Sequence, residues 1–230
     1  MADFVVYGSP LSPFVRKVEV ALHHVGAAYD FEAINIMDMP DWFVEISPAR
    51  RIPVLRDKTI GTEGIPGTIA DSSAILTFLE KRLNTELYGS TPYEAGRAAW
   101  FEEYADTVLA MTAGLELFRP IIFPLFGGQP SDVETAKKTW EEKLPKMFDY
   151  LERSLDGADY FVGNQFTVAD IAIGAQMTQI DLIVGLPDAG AYPALVKHTQ
   201  AMKTKPGFSE NLTTSASMLS GILPTKVDLS

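Results

Sequence analysis

Apolar positions along the chain change period twice, and the first change comes within a dozen residues. Phe4-Val5-Val6-Tyr7 is a β-branched and aromatic run stopped by Gly8-Ser9-Pro10, the pattern of a buried strand entering a loop. Ser12-Pro13 then predicts a helix start, with Ser as N-cap and Pro at the first helical position. Val15, Val18, Ala21, Leu22 and Val25 follow at three- and four-residue spacing up to Gly26. Tyr29 to Ile36 alternates well enough for a second strand, and Pro40 and Pro48 limit any helix between them to a turn or two. Ile52-Pro53-Val54-Leu55 reads as a strand and Gly67-Thr68-Ile69-Ala70 as its hairpin partner, across a connection, Asp57 to Pro66, that is long for a hairpin. Asp71-Ser72-Ser73 caps a helix carrying Ile75, Leu76, Phe78 and Leu79. Residues 1–84 therefore spell β-α-β-(α)-β-β-α.

Residues 85–91 hold Gly, Ser and Thr and suit a linker. From residue 92 to 230 the period is helical throughout. Trp100, Tyr104, Val108 and Met111 share one face of a long segment; a second, roughly 132–156, carries Trp140, Leu144, Phe148, Leu151 and Leu155 with a kink expected at Pro145. Between them Pro120 and Pro124 predict that helix breaks into an apolar loop over Phe118–Phe126. Thr167 with Asp170 three residues on has the form of a capping box opening a third helix. After Phe208 the chain continues with Leu212, Met218, Leu219, Ile222 and Leu223, too apolar for a free tail, so it is expected to pack.

Composition narrows the chemistry. The 230 residues are 47% hydrophobic and 21% charged, which fits a folded globular chain and argues against a mainly disordered one. Thirty acidic against nineteen basic side chains give a net charge of -11, divided as -4 over residues 1–88 (8 basic, 12 acidic) and -7 over the rest (11 basic, 18 acidic). An acid excess in both halves repels phosphate backbones and anionic lipid, so neither nucleic acid nor a membrane surface is an expected partner. With no cysteine, disulfides, Cys-based metal sites and Cys nucleophiles are excluded, and no metal is expected. The N-terminus lacks a basic, apolar signal pattern, and no stretch of about 18 apolar residues stands out as a membrane span. The expected location is the cytoplasm.

Each chemical candidate also has a plain structural reading. Ser12 is accounted for as an N-cap, Asp71-Ser72 as another, Ile52-Pro53 as an edge strand with a trans proline, and Arg50-Arg51 as a solvated pair. Their order is more telling than any one of them. A β-α-β unit, then basic-Ile-Pro-Val-Leu, then a hairpin into Asp-Ser at a helix start, then a helical half with Phe-Thr-x-Ala-Asp, resembles the cytosolic glutathione S-transferase family from about Phe4 to Phe208. Ser12-Pro13-Phe14 followed by Arg16-Lys17-Val18 is most similar to the serine-type (theta-, tau- and phi-like) classes. The resemblance implies a thioredoxin-like α/β N-terminal domain that binds glutathione and an all-α C-terminal domain that supplies a hydrophobic co-substrate site, in a homodimer.

Carried over residue by residue, the family's roles make Ser12 the group that activates the thiol, with Tyr7 and Ser9 as alternatives. Ile52, before a proline expected to be cis (Pro53), would pair its backbone with the cysteinyl part of glutathione; Arg51 would reach the glycyl carboxylate; Asp71 would face the γ-glutamyl amine and Ser72 its carboxylate. Tyr104, Met111, Phe118, Phe123 and Phe126 are candidate walls for the electrophile, each also readable as plain core. The implied activity is a glutathione transferase acting on a small hydrophobic electrophile. Glutathione-dependent lyase, ether-cleaving or isomerase chemistry on the same pocket, and a non-catalytic glutathione-binding protein, are the rival readings.

Overall fold

The computed structural model describes residues 2–229, which fall into two compact units. The first runs up to Leu87 and also takes in Pro206–Asn211; the second comprises Tyr88–Lys205 and the chain from Leu212 onward. Six residues that sequence spacing groups with the helical half thus fold with the first unit. The reason is local: Gly207 takes a positive φ of 83°, and a Cβ placed there would lie 2.8 Å from Val20 Cα, so only glycine lets this turn close on the first helix.

The first unit orders its elements β1 (Phe4–Gly8), α1 (Pro13–His24), β2 (Tyr29–Ala33), α2 (Asp41–Ile46), β3 (Val54–Asp57), β4 (Thr68–Ala70) and α3 (Ser72–Leu83). The sheet has the order β2-β1-β3-β4. β1 and β2 are parallel because α1 carries the chain back between them, whereas β1–β3 and β3–β4 are antiparallel. Alternation sends Tyr7 and Val54 to one face, where they pack with Ile34, Phe43 and Ile46. Val6 and Leu55 turn to the other face and are fully buried, as are Val15, Val18 and Leu22 of α1 and Ile75, Leu76 and Leu79 of α3. The long β3–β4 connection is organised from inside. Buried Arg56 donates to the carbonyls of Pro66 (2.9 Å), Gly64 (2.8 Å) and Gly61 (3.3 Å), which satisfies three backbone acceptors with one guanidinium.

The second unit is helical: α4 (Pro92–Phe126), α5 (133–155), α6 (Val168–Ile183), α7 (Pro193–Lys203) and α8 (Phe208–Ser220, from Leu212 in this unit). Helix α6 is buried along nearly its whole length, and α4 packs on it. Asp170 closes its start by accepting from the backbone N–H of Thr167 (2.9 Å) and Phe161 (3.0 Å).

The expected loop over Phe118–Phe126 is helix instead: Arg119–Phe126 continues α4 without a break. Immediately before it, Gly114–Phe118 is a π-helical turn, and Thr139–Lys143 is another, placed just before Pro145. A proline in mid-helix removes one N–H donor and collides with the carbonyl four residues back; a widened turn at that point relieves both, so the helix continues through Pro120 and Pro145. By length and composition alone α4 would also suit a membrane span, contrary to the sequence expectation, with a mean hydropathy of 1.5 over 18 residues. One stripe of its apolar positions, Ala105, Leu109, Ala113, Leu117 and Ile121, is buried, and other apolar side chains, such as Met111 and Leu115, are exposed.

The tail packs on the helical unit. Val227 N–H donates to Ile183 O (2.8 Å), Asp181 accepts from Lys226 (2.6 Å) and Lys203 (2.5 Å), and Leu229 is buried.

Candidate active site

Strand register brings three separate segments of the first unit to one end of the sheet. Tyr7 pairs with Val54 and Val54 with Ala70, both antiparallel, so the residues just after β1, just before β3 and just after β4 share that end. Those residues are Ser9–Ser12, Arg51–Pro53 and Asp71–Ser72.

Ser12 is the N-cap of α1, in extended conformation (φ -83°, ψ 124°), and its Oγ accepts from Val15 N–H at 3.4 Å. Its own hydroxyl hydrogen has no acceptor among the described residues, so a half-buried O–H donor stands at a helix N-terminus. Close approach of strand and helix fixes that position: a Cβ at Gly8 would meet Val15 Cγ2 at 2.5 Å. Ser9 serves the same turn through its carbonyl, which accepts from Ser12 N–H at 2.9 Å. Tyr7 lies within β1 and is buried. Its hydroxyl accepts from Arg56 Nε at 3.2 Å, and its ring meets Trp42 edge-on at 5.5 Å.

The Ile52–Pro53 bond is cis. Neither backbone polar group of Ile52 has a partner among the described residues, which leaves one donor and one acceptor side by side. Arg51 is held by its backbone, through two bonds with Ser47 Oγ (3.1 Å from Arg51 N, 2.8 Å to Arg51 O), while its exposed guanidinium makes no bond among the described residues. Asp71 is the N-cap of α3 with a positive φ of 89°, a conformation costly for a side-chain-bearing residue and characteristic of functional positions. Its Oδ1 accepts from Ser73 N (2.9 Å) and Ala74 N (3.2 Å), which leaves Oδ2 without a partner. Ser72, at the first helical position, is buried and its N–H has no intrahelical acceptor. One end of this sheet therefore offers an acid, two N–H donors, a carbonyl, two hydroxyls and a free guanidinium, the complement of a peptide-like ligand with charged ends.

Sequence reasoning did not assign a role to Lys17. It is buried, and its Nζ donates to Ser72 Oγ (3.2 Å) and Ser73 Oγ (3.0 Å). A charged residue in the buried half of an amphipathic helix was the available signal.

In the second unit the five candidate wall residues all lie on α4, which makes them a set on one helix. Met111, Phe123 and Phe126 are exposed and Tyr104 and Phe118 half-buried. The Tyr104 ring meets that of Tyr150 at 4.6 Å, tilted by 48°, and Tyr150 accepts from Trp100 Nε1 at 2.6 Å. Burial, and then Tyr150, hold the Tyr104 hydroxyl above the usual tyrosine range. Arg119 lies 5.3 Å over the Phe123 ring. Among the described residues no group of three or more His, Asp or Glu side chains is placed to hold a metal ion.

Comparison with known proteins agrees with this arrangement at both ends of the chain. Residues 6–86 match the model of the glutathione S-transferase N-terminal domain, and residues 116–214 that of the C-terminal domain. Glutathione S-transferase D6 of Drosophila melanogaster is 29% identical over 215 residues, covering 90% of this chain and 91% of that one. Among solved structures, FzlA from C. crescentus superposes with a TM-score of 0.80 at 22% identity, covering 92% of each chain. The glutathione transferase URE2P8 from Phanerochaete chrysosporium, determined with oxidized glutathione, gives 0.78 at 18% identity, over 96% of this chain and 98% of that one. A mixed four-stranded sheet with its helices, a helical unit after it, and two domain models that match in that order establish that the chain belongs to the glutathione S-transferase family.

Proposed function

We propose that this protein is a glutathione transferase of serine type, in which Ser12 stabilises the glutathione thiolate for attack on a small hydrophobic electrophile. The observation that carries the reading is the unused Ser12 hydroxyl at the N-terminus of α1, on the same sheet end as the free backbone groups of Ile52 and the donors of Ser72. Membership of the family and the relative determined with oxidized glutathione support glutathione as co-substrate. In this reading Ile52 binds the cysteinyl backbone, Arg51 the glycyl carboxylate, Asp71 the γ-glutamyl amine and Ser72 its carboxylate. Tyr104, Met111, Phe118, Phe123 and Phe126 are the proposed walls of the electrophile site. The enzyme is proposed to work in the cytoplasm as a homodimer.

The chemistry follows from the thiol. At a pKa of about 8.5 it is mostly protonated at neutral pH, and the thiolate is the nucleophile. One hydrogen bond to the charged sulfur, about 1.5–3 kcal/mol, lowers that value by about 1–2 units, and the helix N-terminus acts in the same sense. Tyr7 and Ser9 are poorer candidates, because neither stands at the N-terminus of α1: Tyr7 lies within β1 and Ser9 ahead of the helix start.

Thiolate absorbance of bound glutathione, titrated with pH, tests the assignment. Ser12→Ala should raise the bound thiol pKa by about one unit or more and lower kcat, with glutathione affinity little changed. If Tyr7→Phe or Ser9→Ala raises that pKa while Ser12→Ala does not, the role passes to that residue. Turnover of aryl ethers in preference to aromatic halides would instead identify ether cleavage on the same pocket.

A further inference from the structure

The two hydroxyls beneath the α3 N-terminus are not free to choose their polarity. Lys17 Nζ reaches Ser72 Oγ at 3.2 Å and Ser73 Oγ at 3.0 Å from a side chain only 1% exposed. An ammonium carries three N–H donors and no acceptor, so at both contacts the serine oxygen accepts and each hydroxyl hydrogen must point elsewhere. Ser72 then presents two donors, its O–H and the N–H that helix geometry leaves unpaired, because Asp71 Oδ1 takes the next two N–H groups and not this one. A serine without such a neighbour can donate or accept. An oxygen already accepting from an ammonium is a poorer acceptor for a further donor, so here Ser72 is set to donate, while the acceptor at this end, Asp71, is taken up by the ligand amine in the reading above.

That polarity discriminates between ligands of nearly identical shape. A carboxylate offers only acceptors and matches both Ser72 donors. A carboxamide has the same outline but brings an NH₂ that needs an acceptor, and a site built for one hydrogen-bond pattern rejects the other strongly. We infer that Lys17 is a specificity-determining positioning residue: acting through the Ser72 hydroxyl, it commits this end of the site to a free α-carboxylate and against the corresponding amide. The inference rests on the glutathione reading given above and deepens it. Lys17 does not touch the ligand, and the thiol chemistry belongs to Ser12.

Calorimetric titration of the full chain with S-methylglutathione and with its γ-glutamyl α-carboxamide analogue tests this, the quantity of interest being the ratio of the two Kd values. The unsubstituted protein should prefer the carboxylate by about 30-fold or more, and Lys17→Met should cut that ratio by about tenfold while raising the KM for glutathione more than it lowers kcat. Lys17→Arg, again donor-only, should restore most of the preference. Should Lys17→Met fail to fold, Lys17→Gln carries the test with the same sign, since its amide can show Ser72 either polarity. A folded Lys17→Met or Lys17→Gln that keeps the full ratio overturns the inference, as does an unsubstituted protein that binds both compounds equally; the glutathione reading survives either result. Failure of the unsubstituted protein to bind S-methylglutathione at all overturns the glutathione reading and this inference with it.

Discussion

Glu19 is the point where α1, β2 and the 206–211 segment meet in one carboxyl group. Asn211 Nδ2 donates to it at 2.6 Å and the Tyr29 hydroxyl at 3.1 Å, while Arg16 Nε donates to Asn211 Oδ1 at 2.6 Å. Burial holds the Glu19 carboxyl above the usual carboxylate range, against the opposing pull of Asn211, Tyr29, Arg16 and His23. The same burial lowers Arg16 to about 9, so it stays charged at neutral pH. Because the native state keeps the Glu19 proton to higher pH than the unfolded chain, it binds more protons between the two values. Stability should therefore fall as pH rises from the ordinary glutamate range through the raised value, and level off above it. Urea midpoints measured over that window should show this decline for the unsubstituted protein and a flatter profile for Glu19→Gln; equal slopes would remove Glu19 as the cause.

At the scale of elements, the buried stripe of α4 explains why the helix is not a plain α-helix. Ala105, Leu109, Ala113, Leu117 and Ile121 recur every four residues. Four residues of α-helix turn through about 400°, so such a stripe would drift about 40° per step and leave the core within three or four steps. The π-helical turns at Tyr104–Leu109 and Gly114–Phe118 hold more residues per turn and bring the stripe back. Thermal or urea unfolding of two alanine variants checks the register. Leu117→Ala, fully buried, should cost about 2–5 kcal/mol, and Leu115→Ala, at 39% exposure, should fall within about 1 kcal/mol of the unsubstituted protein. Similar losses at both would mean that the helix runs in another register.

For the whole molecule, the proposed homodimer is the open quantity. A chain of net charge -11 that still exposes Tyr93 and Trp100 along the first part of one helix has apolar surface to cover as well as charge to keep it soluble. Light scattering at micromolar concentration should give about twice 25.2 kDa, and a strict monomer would count against the dimer. What the sequence determined by itself was whatever depends on neighbours along the chain. The Ser12-Pro13 and Asp71-Ser72 starts and the strand–helix order of the first 84 residues were legible because capping and alternation act within a few positions. The order of motifs also sufficed to indicate the family. Tertiary structure alone decided the rest. Prolines 120 and 124 read as breakers, yet the helix continues through both, with a widened turn just before Pro120. Lys17 carried no role in the sequence reading, yet burial between α1 and α3 set it on two hydroxyls. Gly207 and Asn211, nearly two hundred residues beyond α1, folded onto it because contact across that separation is governed by shape and hydrogen bonding, which no local pattern encodes.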